Sequence, residues 1–169
     1  MNVQNTAYLS LGSNLGDRLA YLNCALRGLS AKGDVAAHSS IWQTPPWGYK
    51  DEKPYLNMAC AFRTALDAFA LRLFLENLEK GCGRTVKTAP GEGYAAREID
   101  IDIIFYGSEI IKTAELTVPH PRMEMRNFVL RPLQEIAPDF VHPLSGRTVQ
   151  ELCKQSPDQD AGLKLYDGL

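Results

Sequence analysis

Apolar residues alternate in some stretches of the chain and recur at helical spacing in others. Ala7, Leu9 and Leu11 alternate with Tyr8 and Ser10, which predicts a half-buried strand over 7–11. Leu19, Leu22, Leu26 and Leu29 then follow at helical spacing, with Asp17 placed to cap a helix and Gly33 just beyond its end. Residues 35–44 are rich in β-branched and small side chains and stop at Pro45-Pro46, so a second strand is expected to run into a loop that continues to Pro54. A third strand over 56–64 would put Met58, Cys60 and Phe62 on one face. Asn57, Ala59, Ala61 and Arg63 fall on the other, which reads as wet or functional.

The second helix has the plainest pattern in the chain: Asp67 can cap it, Leu71, Phe74, Leu75 and Leu78 form its apolar stripe, and Lys80-Gly81 ends it. Residues 83–98 lose apolar periodicity, contain Pro90, Gly91 and Gly93, and read as a long functional loop. Over 99–106 the alternation returns, with Ile99, Ile101, Ile103 and Phe105 inward and Asp100 and Asp102 outward. The order βαββαβ predicts a ferredoxin-like α+β sandwich with an antiparallel sheet, both helices on one sheet face and the other face open. A hairpin pairing 109–111 with 116–118 and a last helix over 148–155 complete the expected elements.

With 169 residues, 45% of them apolar and 22% charged, the chain suits one domain, 1–169, with a hydrophobic core. A formal net charge of -2 argues against nucleic-acid binding through bulk positive charge. Cys24, Cys60, Cys82 and Cys153 are far apart and show no zinc or redox spacing, so reduced thiols are expected. No apolar run is long enough to span a bilayer and the first residues lack signal-peptide order, so the cytoplasm is the expected address, with no membrane partner.

Two aspartates two apart on a strand project from one face, and hard cations such as Mg²⁺ take a few carboxylates together with substrate phosphates. Spacing alone leaves Asp100 and Asp102 readable as metal ligands or as solvent-facing residues. Their position favours the former: Asp is disfavoured in strands, yet both lie in an Ile/Phe-rich run directly after a basic loop. Arg84, Lys87 and Arg97 of that loop offer charge-assisted hydrogen bonds to phosphate oxygens. His120, between Pro119 and Pro121, is placed to donate to a phosphate or nucleotide, whereas His38 and His142 read as structural. Thr44, Pro45, Pro46, Trp47, Tyr55, Asn57 and Phe128 supply flat surface and a side-chain amide, a mix suited to a stacked planar heterocycle, although Tyr55 and Phe128 read equally well as core residues. Residues 12–16, Gly-Ser-Asn-Leu-Gly, lack the ending of a phosphate loop and read as a turn.

In this order, Leu11-Gly12-Ser13-Asn14-Leu15-Gly16, Thr44-Pro45-Pro46-Trp47-Gly48, Tyr55-Leu56-Asn57, residues 79–84, Arg97-Glu98-Ile99-Asp100-Ile101-Asp102-Ile103, Leu116-Thr117-Val118-Pro119-His120-Pro121 and Arg126-Asn127-Phe128-Val129-Leu130 resemble the 6-hydroxymethyl-7,8-dihydropterin pyrophosphokinase family of folate biosynthesis. The resemblance spans about 7–140. It implies that the pyrophosphoryl unit of ATP, the co-substrate, moves to the pterin hydroxymethyl oxygen and leaves AMP, with two magnesium ions. It further implies that Asp100 and Asp102 hold the metal, that Arg84 and Arg97 meet phosphate, and that Glu79, His120 and Arg126 stand on the nucleotide side, with Lys87 as a substitute for a second loop arginine. Tyr55, Asn57 and Phe128, with Thr44, Pro46 and Trp47 beside them, would form the pterin pocket. The loop departs from the family at Tyr94-Ala95-Ala96 and is about three residues longer. Small-molecule substrates and a monomer are expected. A metal-dependent phosphodiesterase or nucleotidyltransferase, or a non-catalytic ferredoxin-like module, are the rival readings.

Overall fold

The computed structural model describes residues 4–45, 54–85, 96–158 and 162–168. Strand β1 (Asn5–Ser13) is followed by α1 (Arg18–Leu29), β2 (Gly33–His38), β3 (Trp42–Thr44), β4 (Tyr55–Thr64), α2 (Ala68–Gly81) and β5 (Asp100–Tyr106). Then come β6 (Ile111–Lys112), β7 (Thr117–Val118), a 3-10 turn at Met123–Met125, α3 (Asn127–Ile136), α4 (Val149–Gln155) and β8 (Lys164–Leu165). The main sheet has the order β5-β1-β4-β3-β8, with β2 also on β4. Every pairing in it is antiparallel.

The helices start where the sequence places their caps. Asp17 Oδ1 accepts from Ala20 N at 3.0 Å and Asp67 Oδ1 from Ala70 N at 2.8 Å, each satisfying a backbone donor that helix geometry leaves open. Helices α1 and α2 cover one sheet face, where Leu22, Leu29, Leu71 and Leu75 meet Leu9, Leu11, Met58 and Phe62. Each such buried leucine contributes about 2 kcal/mol of transfer free energy. The two helices lie close because Gly28 has no side chain: a Cβ there would sit 2.2 Å from Leu78 Cδ1.

That packing overturns the reading of the cysteines. Cys24 on α1 and Cys82 at the end of α2 form a disulfide, with Cα atoms 5.9 Å apart. Fifty-eight residues separate them in the chain, so only the side-by-side helices bring them together. Cys60 and Cys153 are buried and lie outside this disulfide, and burial pushes the Cys60 thiol up to about 12.

Three further expectations change. The second strand is two strands: β2 pairs with the far half of β4 and β3 with its near half, with a break between. At the break, Ser39 N donates to Ala59 O and Ser39 Oγ accepts from Ala59 N, replacing the regular ladder. Second, the face expected to be open is partly covered by α3 and α4, which bury Ala59, Ile104, Phe105, Leu130, Leu133 and Leu152. Third, Phe105 does not join Ile99, Ile101 and Ile103. The β1–β5 register shifts between Tyr8 and Leu9, leaving Ile104 without a partner on β1 and turning Phe105 to the α3 side. The bulge lies beyond Asp100 and Asp102, whose outward direction is unaffected. The predicted hairpin is present as the short pair β6–β7, and α4 is capped by Thr148.

Candidate active site

Strand register sets the site. Gly12 on β1 pairs with Asp100 on β5 and with Asn57 on β4, and Ser10 pairs with Asp102 and with Ala59. Period-two alternation then puts Asp100, Asp102, Ser10, Gly12 and Asn57 on the sheet face away from α1 and α2. Two cavities open on this region, and Asp100 and Asp102 line both. The aspartates are the wall the cavities share.

The first cavity also holds Tyr55, Asn57, Phe128, Arg126, Arg97, Pro45, Ser10 and Gly12. Asn57 is buried, and its Nδ2 donates to Thr44 Oγ1 at 2.8 Å, so the amide is held in one orientation. Phe128 and Arg126 come from the start of α3, with the Arg126 guanidinium carbon 5.7 Å from the Phe128 ring centre. Burial draws the Arg126 pKa down from its ordinary value. Arg126 thus lines the cavity that holds the aromatic residues.

The second cavity is lined by Glu79, Arg84 and His120 together with Arg72, Glu76, Glu115 and Thr117. Glu79, on the last turns of α2, is buried; it accepts from Ile101 N at 2.7 Å and is ion-paired with Arg84. Arg84 also meets Asp100 at 3.2 Å, and Arg97 meets the other Asp100 oxygen at 2.8 Å. Two carboxylates, Glu79 and Asp100, are therefore held by two guanidinium groups. Burial, with the charge of Asp100 adding to it, pushes Glu79 up to about 7 even though Ile101 N–H and Arg84 oppose the shift. Burial, then the charges of Asp100 and Glu79, raise Asp102 well above the usual carboxylate range. His120 is lowered chiefly by burial, which favours the neutral ring. Its Nδ1 accepts from Arg122 N at 3.3 Å, leaving Nε2 as the protonated nitrogen.

Pro46, Trp47 and Lys87 lie outside the described residues, as do Tyr94 and Ala95. Three site residues escaped the sequence reading. Ser10 and Gly12 line the first cavity, and β1 continues through Ser13 where a turn was expected; the bend comes later, with Gly16 at φ 58°. Asn14 is buried, its Oδ1 accepting from Arg97 N at 2.7 Å while its own N donates to Arg97 O at 3.0 Å. It fixes the backbone that leads into the Asp strand. A polar residue directly after an alternating strand was the available signal, but its partner lies 83 residues away.

Residues 8–138 match the family described as 7,8-dihydro-6-hydroxymethylpterin-pyrophosphokinase (HPPK). The 2-amino-4-hydroxy-6-hydroxymethyldihydropteridine pyrophosphokinase of Bacillus subtilis is 43% identical over 136 residues, 79% of each protein. That of Aquifex aeolicus is 37% identical over 146 residues, 86% of this chain and 89% of the relative. The chain spans only 21% of the folic acid synthesis protein fol1 of Pneumocystis carinii, to which it is 37% identical over 161 residues. A Plasmodium falciparum HPPK-DHPS crystal structure superposes with a TM-score of 0.73 at 16% identity, covering 98% of this chain and 48% of that one, which shows the shared ferredoxin-like fold. The chain therefore belongs to the HPPK family, whose activity is pyrophosphoryl transfer from ATP to hydroxymethyldihydropterin in folate biosynthesis.

Proposed function

We propose that this chain performs the family's transfer by seating the pterin in the first cavity and ATP in the second, so that the two reactants meet across Asp100 and Asp102. The observation that carries this reading is the shared wall: the same two carboxylates line both cavities. Tyr55 and Phe128 offer ring faces and Asn57 an edge donor and acceptor held by Thr44, with Arg126 against Phe128. Pro46 and Trp47 are assigned to the same pocket from the sequence.

The donor set fits Mg²⁺. Among the described residues no group of three or more His, Cys, Asp or Glu converges to hold a metal by itself. A pair of carboxylates without a full cage is how Mg²⁺ is bound when phosphate oxygens and water complete the octahedron. Asp100 and Asp102 would hold two ions, which when bound neutralise phosphate charge and draw the hydroxymethyl oxygen into line. Arg84 and Arg97, paired with Asp100 in the free protein, turn to the phosphates, with Lys87 a third cation on their loop. Neutral His120 donates from Nε2 to a phosphate oxygen. Glu79 holds Ile101 N–H and Arg84, and so aims both the Asp strand and an arginine.

The hydroxymethyl oxygen attacks the β-phosphorus, the bond to the α,β-bridging oxygen breaks, and AMP leaves; the hydroxyl proton passes to water. Positioning and charge neutralisation carry such a transfer, so no protein base is assigned. Chromatography of the protein with ATP, hydroxymethyldihydropterin and Mg²⁺ tests this: AMP should form only when the pterin is present. ADP as product, or AMP release indifferent to the pterin, would overturn it.

A further inference from the structure

Gly12 sits inside β1, flanked by Asp100 on one neighbouring strand and Asn57 on the other, and it lines the first cavity. Its backbone does not enter the left-handed region, so conformational freedom does not explain a glycine there. A glycine inside a strand weakens the strand, and it commonly marks a place where another group approaches the backbone closely. Here that group is known. A Cβ at position 12 would lie 2.9 Å from Asn57 Oδ1 and 3.9 Å from Tyr55 Cδ1.

The first of these contacts is too short for any real side chain, so the amide would have to move. It has little room to do so. Asn57 is 3% exposed, and its Nδ2 is committed to Thr44 Oγ1 at 2.8 Å. Rotating the amide away from a side chain at 12 would break that bond inside a buried site, where an unpaired polar group is costly. With the nitrogen on Thr44, the amide oxygen is the atom left facing Gly12.

We propose that Gly12 is a specificity-determining residue of the ring cavity: its bare backbone is the floor that lets Asn57 present its amide oxygen to the edge of a planar, donor-bearing heterocycle. The proposal rests on the assignment of the first cavity to the pterin. It acts through Asn57, so Gly12 is a positioning residue, and its effect belongs to ring binding and not to the nucleotide.

The test is a double-mutant cycle on the full chain with Gly12→Ala and Asn57→Ala, read by pterin titration in the presence of Mg²⁺ and a non-hydrolysable ATP analogue and by steady-state turnover with Mg²⁺ and ATP. Gly12→Ala should raise the pterin Kd and KM by roughly tenfold while kcat and the affinity for the analogue change by less than about threefold. In the Asn57→Ala background, where the clashing oxygen is gone, the same substitution should cost less than about twofold. Unchanged pterin affinity in Gly12→Ala, an equal loss in both backgrounds, or a matching loss of analogue affinity would each overturn the proposal. Should Gly12→Ala fail to fold, the double variant must fold, because it lacks the clash; a double variant that also fails overturns the idea. Wild-type protein that binds the analogue but no pterin would sink the cavity assignment itself, a result distinct from a Gly12→Ala variant that binds pterin normally.

Discussion

Asp102 is held at a cost. Its carboxylate is disfavoured by burial and by the charges of Asp100 and Glu79, so the protein keeps a repelling group where a neutral one would be more stable. Asp102→Asn should therefore leave the thermal midpoint unchanged or raise it while reducing turnover by about a thousandfold; Asp100→Ala should abolish turnover with circular dichroism unchanged. Activity near wild type in either variant would remove the metal role. Glu79 offers a pH test in protein free of metal and nucleotide. Its pKa of about 7 in the fold exceeds the ordinary 4.5, so the folded state holds the proton more tightly than the unfolded chain. Its contribution is thus complete below about pH 4.5 and is lost as the pH rises through 7, a swing of about 3 kcal/mol. Urea titrations between pH 5 and pH 8 should show this decline in the wild type and a flatter profile in Glu79→Gln. Parallel profiles would mean that Glu79 is not the group responsible. The aspartates were legible from alternation, because an Asp-x-Asp pair in an isoleucine strand has only one face to occupy. Gly12 and Asn14 were not, since what they touch is set by strand register.

At the scale of elements, the α1–α2 pair carries a crosslink that spacing alone did not reveal. Closing a loop of 58 residues restricts the unfolded chain by about 4 kcal/mol on a chain-entropy basis. Guanidinium unfolding with and without a dithiol reductant should differ by that order, and Cys24→Ala/Cys82→Ala should match the reduced protein and no longer respond to the reductant. Equal stability in both conditions would remove the disulfide from the account. Helix α3 illustrates a different limit. Its N-cap position, Arg126, makes no side-chain capping bond, and Pro132 lies inside it, so its local signals are poor. Tertiary contacts supply what is missing. Asp158 Oδ2 accepts from Asn127 N at 2.9 Å at one end, and Glu135 accepts from Ser40 N at 2.8 Å and Trp42 Nε1 at 2.6 Å across the β2–β3 break. That helix delivers Arg126 and Phe128 to the ring cavity, which is why Phe128 could be read equally as core or pocket in the sequence.

Across the whole molecule, the shared wall makes the two cavities interdependent. Loading the second with Mg²⁺ and nucleotide neutralises carboxylates that also face the first, which lowers the cost of placing a polar ring beside them. Pterin affinity should rise about tenfold when the Mg²⁺–ATP analogue is present, and analogue affinity should rise by the same factor with pterin, since linkage is reciprocal. Calorimetric titrations in both orders check this, and equal affinities with and without the partner ligand would refute it.

The sequence by itself determined the alternation of sheet and helix from β1 to β5, the caps of α1 and α2, which residues of β4 and of β5 up to Ile103 share a face, and the family, because period and capping are local and the motif order is linear. Tertiary structure decided the disulfide, the break in the second strand, the bulge that turns Phe105 and the placement of α3. Each of these depends on which strands pair and which faces pack. The aspartates are the junction: their direction was local, but their place between two cavities exists only once β5 lies beside β1 and α3 closes over the sheet.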